Sequence, residues 1–228
     1  MFFKDEHDYS FLPKVVFLIV ISGTCLVTNY LMFVNESNLI GFLKPYSIRG
    51  NFDRQIIVTF CCWFYIFRLF VTVFVFLKRT WDWREVLIVT SLISLALFYL
   101  AKEGGSSFQP IGLLDYFSIS LYLFGSWLNS RSEYTRYIWK KDKSNKGRPY
   151  TGGLFRYSMH INYFGDVLLF TGFALITWKF SLLIIALAMA LNFVFNIIPR
   201  LDKYLANKYG DEFIMYASKT KKLVPWIY

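Results

Sequence analysis

Histidine and cysteine are scarce in this 228-residue chain, which has two of the first and three of the second. Cys25, Cys61 and Cys62 all fall inside apolar stretches, where a thiol behaves as a small core hydrophobe, so neither a disulfide framework nor a zinc site is expected. His160 has no second His, Cys or carboxylate at metal-ligand spacing beside it, which argues against a catalytic zinc. No GxSxG, HExxH, P-loop or Rossmann glycine pattern occurs, and soluble-type hydrolase and kinase chemistry is set aside with them. Internal repeats and low-complexity tracts are also missing.

What is abundant is apolar surface. The chain is 56% hydrophobic and 21% aromatic, with a mean hydropathy of +0.41, more than one soluble core of this size can hide. A membrane-spanning helix needs about 20 mostly apolar residues, and six stretches qualify: 13–34, 56–77, 85–101, 111–129, 163–178 and 180–198. The head MFFKDEHDYS is acidic and mixed, and no small-residue cleavage site follows the first stretch, so that stretch reads as a span and not a signal peptide. The expected fold is therefore all-α, a polytopic transmembrane bundle of about six to seven helices with a cytoplasmic loop and a C-terminal amphipathic helix.

The formal charge of +10 fits this topology without a nucleic-acid partner. With the N-terminus in the cytoplasm, two, three, eight and six Lys or Arg fall in the inside segments 1–14, 78–84, 130–162 and 199–228. Five lie outside (Lys44, Arg49, Arg54, Lys102 and Lys179), and Arg68 lies within a helix. Cations concentrated on the cytoplasmic side mark orientation first, with contact to anionic lipid or phosphates second. Segment 130–162, the longest polar stretch, opens helix-like, breaks at Gly147-Arg148-Pro149 and turns again at Gly152-Gly153. Pro199 is expected to end the last span. Beyond it Leu201, Leu205, Tyr209, Phe213 and Tyr216 recur at spacings of 3 and 4, interrupted by Gly210, as in a helix lying against a membrane.

Polar residues inside or beside apolar helices are the candidates for function. Arg68 sits midway along the second stretch, where a charge costs about 2.5–3.5 kcal/mol on insertion scales, and Tyr65 shares its face. They read either as a guanidinium polarising a phenol or as a snorkelling Arg beside a packing aromatic. Asn129, Glu133, Arg136 and Lys140 continue one helix stripe, which is either a solvated face with internal ion pairs or a set of acceptors and cations for a polar ligand. Asn162 and Asp166 are again four apart, with His160 just before them and Gly165 between. An acid in a first helical turn also favours the dipole without any function.

Taken in order along the chain, YIFR at 65–68, GSWLNSRSEY at 125–134, YTGGLFRYSMHINYFGD at 150–166 and the tail from Arg200 to Tyr228, with KYGDEF and the closing LVPWIY, resemble the steroid 5-alpha-reductase family. The resemblance is closest to its bacterial branch of DUF1295 membrane proteins. It implies an NADPH-dependent reductase of a carbon–carbon double bond conjugated to a carbonyl, acting on a lipophilic substrate, with residues 1–110 as scaffold and substrate chamber and 111–228 as the cofactor-binding region. The cofactor would lie on the cytoplasmic face of an integral membrane protein, in a bacterial inner membrane or, in a eukaryote, the endoplasmic reticulum. By the same resemblance Tyr65, with Arg68, polarises the substrate carbonyl. Asn129, Glu133, Arg136, Lys140, His160, Asn162, Asp166, Arg200, Asp202, Tyr209 and Tyr216 form the cofactor set.

Departures accompany the match. The N-terminal Glu that partners the family's tyrosine has no counterpart beyond Glu36, in a loop placed outside, the acids at 133 and 166 are exchanged, and Leu205 replaces a tail His. Isoprenylcysteine carboxyl methyltransferases share this C-terminal architecture and bind S-adenosylmethionine, so methyl transfer to a lipid-linked acceptor is the alternative. Where their blocks read Arg-His-Pro, this chain has Met159-His160-Ile161. A non-catalytic lipid-binding scaffold is the third reading.

Overall fold

A computed structural model describes residues 10–34 and 38–228, and all regular structure among them is helical. The first nine residues and Glu36 lie outside the described residues. Eight α-helices follow one another: α1 (Phe11–Phe33), α2 (Phe52–Val71), α3 (Trp83–Gly105), α4 (Leu113–Lys141), α5 (Ile161–Ile176), α6 (Leu183–Asn192), α7 (Ile198–Tyr209) and α8 (Asp211–Lys219). The six apolar stretches are helical for most of their length, but among the described residues four spans are both long and apolar enough to cross a membrane: Phe11–Phe33, Phe52–Phe76, Trp83–Gly105 and Phe180–Tyr209. Helix α5 is short at 16 residues. Helix α4, though 29 residues long, carries Asp115, Ser118, Ser120, Ser126, Asn129 and Ser130 along its first five turns. An integral membrane protein is consistent with this set of helices.

Two compact units make up the chain, one running up to Ser120 with Gly172–Leu183 added, the other comprising Leu121–Thr171 and Ile184–Tyr228. In the first, α1, α2 and α3 pack together over Phe17, Ile21, Cys25, Val58, Cys62, Leu97 and Leu100, all buried. Asn51 starts α2 by accepting a hydrogen bond from the Arg54 backbone N–H at 3.1 Å, satisfying one of the open donors of a helix start. The helix therefore begins four residues before the apolar stretch does. Arg54, which the hydropathy pattern leaves outside the spans, therefore lies in the first turn of α2, with its side chain 0% exposed.

Arg54 is held in a knot of hydrogen bonds. Its Nη1 donates to Asp115 Oδ1 and to the Ile176 carbonyl, each at 2.5 Å, and its Nη2 to Asp115 Oδ2 at 3.1 Å. Its Nε and Nη2 also reach the Gln109 carbonyl. Asp115 receives in addition the Gly112 N–H and the indole Nε1 of Trp178. Trp178 adopts φ +60° in the α5–α6 turn, a strained value for a bulky residue that the bond to Asp115 helps hold.

The second unit has its own small core, in which Leu128, Phe155 and Ile161 are buried and Tyr150, Leu154, Phe164 and Leu168 pack around them. Here the structure overturns the expectation that Pro199 ends the last span. After α6 the backbone passes through a π turn over Phe193–Ile197, and Pro199 falls in the first turn of α7. A residue there has no need of an N–H, so proline is tolerated and the helix runs on to Tyr209. Gly210, at φ +56°, then breaks the tail into α7 and α8, a left-handed conformation that suits a residue without Cβ. Phe213 of the predicted apolar stripe is buried and Leu201, Leu205, Tyr209 and Tyr216 are half-buried.

Candidate functional site

Helices α4 and α5 touch through two glycines. A Cβ at Gly125 would lie 2.5 Å from the Gly165 carbonyl oxygen, and one at Gly165 would lie 2.7 Å from the Gly125 oxygen and 2.8 Å from the Asn129 nitrogen. No side chain fits in either place, so the backbones approach closely, as small residues permit between helices in a membrane. One turn on, that approach brings the two predicted polar pairs together.

The pairs interlock. Asn129 Nδ2 donates to the Asn162 carbonyl at 3.0 Å and to Asp166 Oδ2 at 3.1 Å, while Asn162 Nδ2 donates to Glu133 Oε1 at 2.8 Å. Glu133 also accepts from Arg136 three residues on, and the Arg136 guanidinium lies 5.4 Å from the Phe155 ring centroid. Asn129, Glu133 and Asn162 are buried. The Asn129 Oδ1 atom is also buried and accepts no hydrogen bond among the described residues. A buried acceptor left open is costly, and it is chemically suited to an amide N–H or a hydroxyl. Lys140, at the far end of the stripe, is exposed.

His160 and Asp202 form a second focus. The ring Nε2 is 2.8 Å from Asp202 Oδ1, and Lys222 Nζ is 3.8 Å from the other carboxylate oxygen. The imidazole lies nearly parallel to Tyr163 (5.6 Å, 9°), which in turn stacks on Phe193 (4.6 Å, 12°). The chain before α5 is also pinned by the tail: Met159 and His160 donate their N–H groups to the Lys221 and Lys222 carbonyls, and Ser158 Oγ donates to the Leu223 carbonyl at 2.7 Å. Tyr216 donates to the Phe155 carbonyl at 2.6 Å. Its phenol is held above the usual tyrosine range, first by burial and then by the charge of Asp202. Both foci thus rest on the 150–166 block. Arg200 is exposed on α7, and Tyr209 meets Lys208 of its own helix, with Nζ 5.9 Å from the ring centroid.

Beside these residues the 145–156 loop and α8 enclose an open cavity of about 670 Å³. Its walls include Trp139, Tyr150, Arg148, Arg156, Lys219 and Tyr216. Arg148 pairs with Glu212, Nε to Oε1 at 2.9 Å. Of the wall residues only Tyr216 was in the expected cofactor set; the basic loop was the signal that could have added Arg148 and Arg156 to it. In the other unit Arg68 and Tyr65 are both buried, and the guanidinium lies over the phenol ring 5.0 Å from its centroid. The cation therefore meets the ring's π face, an attraction that holds the pair in place.

An all-helical chain with four membrane-length apolar helices and a polar cluster built on a glycine-packed helix pair defines a class of membrane protein, and comparison with known families narrows it. Residues 83–220 match the family described as Protein of unknown function (DUF1295), more than half of the chain, and the protein belongs to that family. The matched span takes in the Asn129–Asn162 cluster, His160 with Asp202, and the walls of the cavity. Tyr65 and Arg68 lie before it. No curated protein matches the chain.

Proposed function

We propose that this protein is a membrane-embedded reductase that uses NADPH to reduce a carbon–carbon double bond conjugated to a carbonyl in a lipophilic substrate. The observation that carries the reading is the buried Asn129 Oδ1, which accepts no hydrogen bond among the described residues and belongs to a cluster of amides and carboxylates. Such a set fits a ligand that presents amide and hydroxyl donors, as the nicotinamide riboside end of NADPH does. The likeness of the 125–134 and 150–166 blocks to steroid 5-alpha-reductases supports the same assignment.

Asn129, Glu133, Asn162 and Asp166 would hold the nicotinamide end. Arg148 and Arg156 in the open cavity, with Arg136 and Lys140, offer cations for its phosphates, and Trp139 and Tyr150 offer ring faces for its base. When bound, the cofactor supplies a hydride to the β-carbon of the substrate. By the same likeness Tyr65, with Arg68 against its ring, would donate a hydrogen bond to the carbonyl oxygen where negative charge develops, and the enolate so formed would take a proton from solvent at its α-carbon. The orientation follows from the cations: the basic loop and tail face the cytoplasm.

Purified protein in detergent should be stabilised by NADPH and should consume nicotinamide absorbance with a conjugated enone in stopped flow. Stabilisation by S-adenosylmethionine with none by NADPH would overturn the reading in favour of a methyltransferase. Tyr65→Phe should leave NADPH binding intact and lower the reduction rate about 100-fold or more, the scale of losing one positioned donor; an unchanged rate removes Tyr65 from the chemistry.

A further inference from the structure

We propose that the C-terminal segment from Lys219 onward is a docking surface for a bilayer leaflet rich in anionic phospholipid, with Trp226 and Ile227 entering the headgroup region and Lys219 and Lys221 meeting lipid phosphates.

Single exposed apolar residues are ordinary. This segment differs because it is ordered and yet exposes its largest side chains. It is tied to the body of its unit by the bonds from 158–160 to the carbonyls of 221–223 and by the buried Leu223. It then closes on itself, with the N–H groups of Leu223 and Val224 both donating to the Tyr228 carbonyl. On this fixed turn Trp226 is 78% exposed and Ile227 76%. Trp226 adopts φ +63°, a conformation that bulky residues avoid. Its indole packs against the Tyr157 ring at 5.8 Å, and the Arg156 guanidinium lies 5.0 Å from the centroid of that same ring.

Charge identifies the occupant. Next to the turn a hollow of about 310 Å³ is lined by Lys219, Lys221, Lys222, Ile227 and Tyr228. Lys222 is shared with Asp202; Lys219 and Lys221 are exposed on the rim. Aromatic side chains at headgroup depth beside lysines are the composition that membrane interfaces select, and clustered lysines add selectivity for anionic lipid. The membrane-length helix Phe180–Tyr209, most of which belongs to the same unit as this segment, keeps a bilayer within reach. The proposal does not depend on the reductase reading.

Native mass spectrometry of the full chain in detergent, offered phosphatidylglycerol or phosphatidylcholine, tests it. Phosphatidylglycerol should be retained about tenfold more strongly or better, the scale expected of two lysines near anionic headgroups. Lys219→Glu with Lys221→Glu should bring that preference down to none, and Lys44→Glu should leave it intact. Equal retention of the two lipids by the unaltered chain, or an undiminished preference in the double variant, overturns the proposal. So does displacement of phosphatidylglycerol by inorganic pyrophosphate, which would mark a site for soluble phosphate. In vesicles of brominated lipid, Trp226→Phe should remove part of the tryptophan quenching. Identical quenching with and without Trp226 overturns the insertion.

Discussion

Two buried polar clusters, one in each unit, are built on opposite plans. Around Arg54 and Asp115 the structure closes: all three guanidinium nitrogens donate, and both carboxylate oxygens accept. Around Asn129 and Asn162 it does not close, because the Asn129 carbonyl oxygen stays buried without a donor among the described residues. A buried polar group is tolerated when it is fully bonded, so a closed knot needs no ligand to explain it. An open one carries a cost that folding alone does not recover. We therefore read the first cluster as structural, tying the α3–α4 loop and the α5–α6 turn to α2, and the second as the place where a ligand completes the bonding.

The strongest way to break the comparison is to open the closed knot. Asp115→Ala leaves the fully buried Arg54 charge without its carboxylate and should destabilise the protein by about 3–5 kcal/mol, read from thermal unfolding in detergent. Adding Arg54→Met to Asp115→Leu should restore most of that loss, since an apolar replacement of both partners removes the stranded charge. A double variant as unstable as Asp115→Ala would show that the charges do more than staple.

Next in size is the glycine contact that holds the open cluster together. Gly125→Ala drives a methyl group into the α5 backbone, which cannot rotate away as a side chain would. The loss should reach the upper part of about 1–3 kcal/mol, and the stabilisation by NADPH should fall with it. A variant with unchanged melting and unchanged response to NADPH would contradict the close approach. Asn129→Leu is a gentler probe. Losing its amide donors should cost about 1–2 kcal/mol, while the roughly 2.7 kcal/mol that NADPH contributes at a hundredfold excess over its Kd should vanish. Full retention of that stabilisation would remove Asn129 from the cofactor site.

The contrast also explains what could be seen in advance. Asn129 with Glu133, and Asn162 with Asp166, are visible because helix periodicity puts residues four apart on one face. Their crossing, Asn129 to Asp166 and Asn162 to Glu133, depends on how deeply Gly125 and Gly165 let two helices approach, which spacing along one helix does not encode. Arg54 was invisible as a buried group because hydropathy starts α2 at the first apolar residue, whereas the Asn51 cap starts it earlier. Its partners Asp115 and Ile176 lie 61 and 122 residues away in sequence. Pro199 misled for a related reason: proline stops a helix only where its missing N–H is needed, and the π turn before it removes that need. The pairing of His160 with Asp202 is a tertiary contact 42 residues apart, and only the presence of both residues could be read beforehand.

Tyr216 gives the smallest effect and the one with a pH signature. Its hydroxyl bonds the Phe155 carbonyl at 2.6 Å, so Tyr216→Phe should cost about 1 kcal/mol at neutral pH. Burial, then the Asp202 charge, holds its pKa above the ordinary tyrosine value, and the folded protein therefore keeps a proton that the unfolded chain gives up above about pH 10. The sign follows from linkage: the contribution is complete below the unfolded tyrosine pKa and is lost as pH rises past it toward the folded value. Between pH 9 and pH 11 the unaltered protein should lose stability faster than Tyr216→Phe, so that their unfolding curves converge. Parallel decline of the two across that window would mean that the phenol is not shielded by α8 and the 150–166 block.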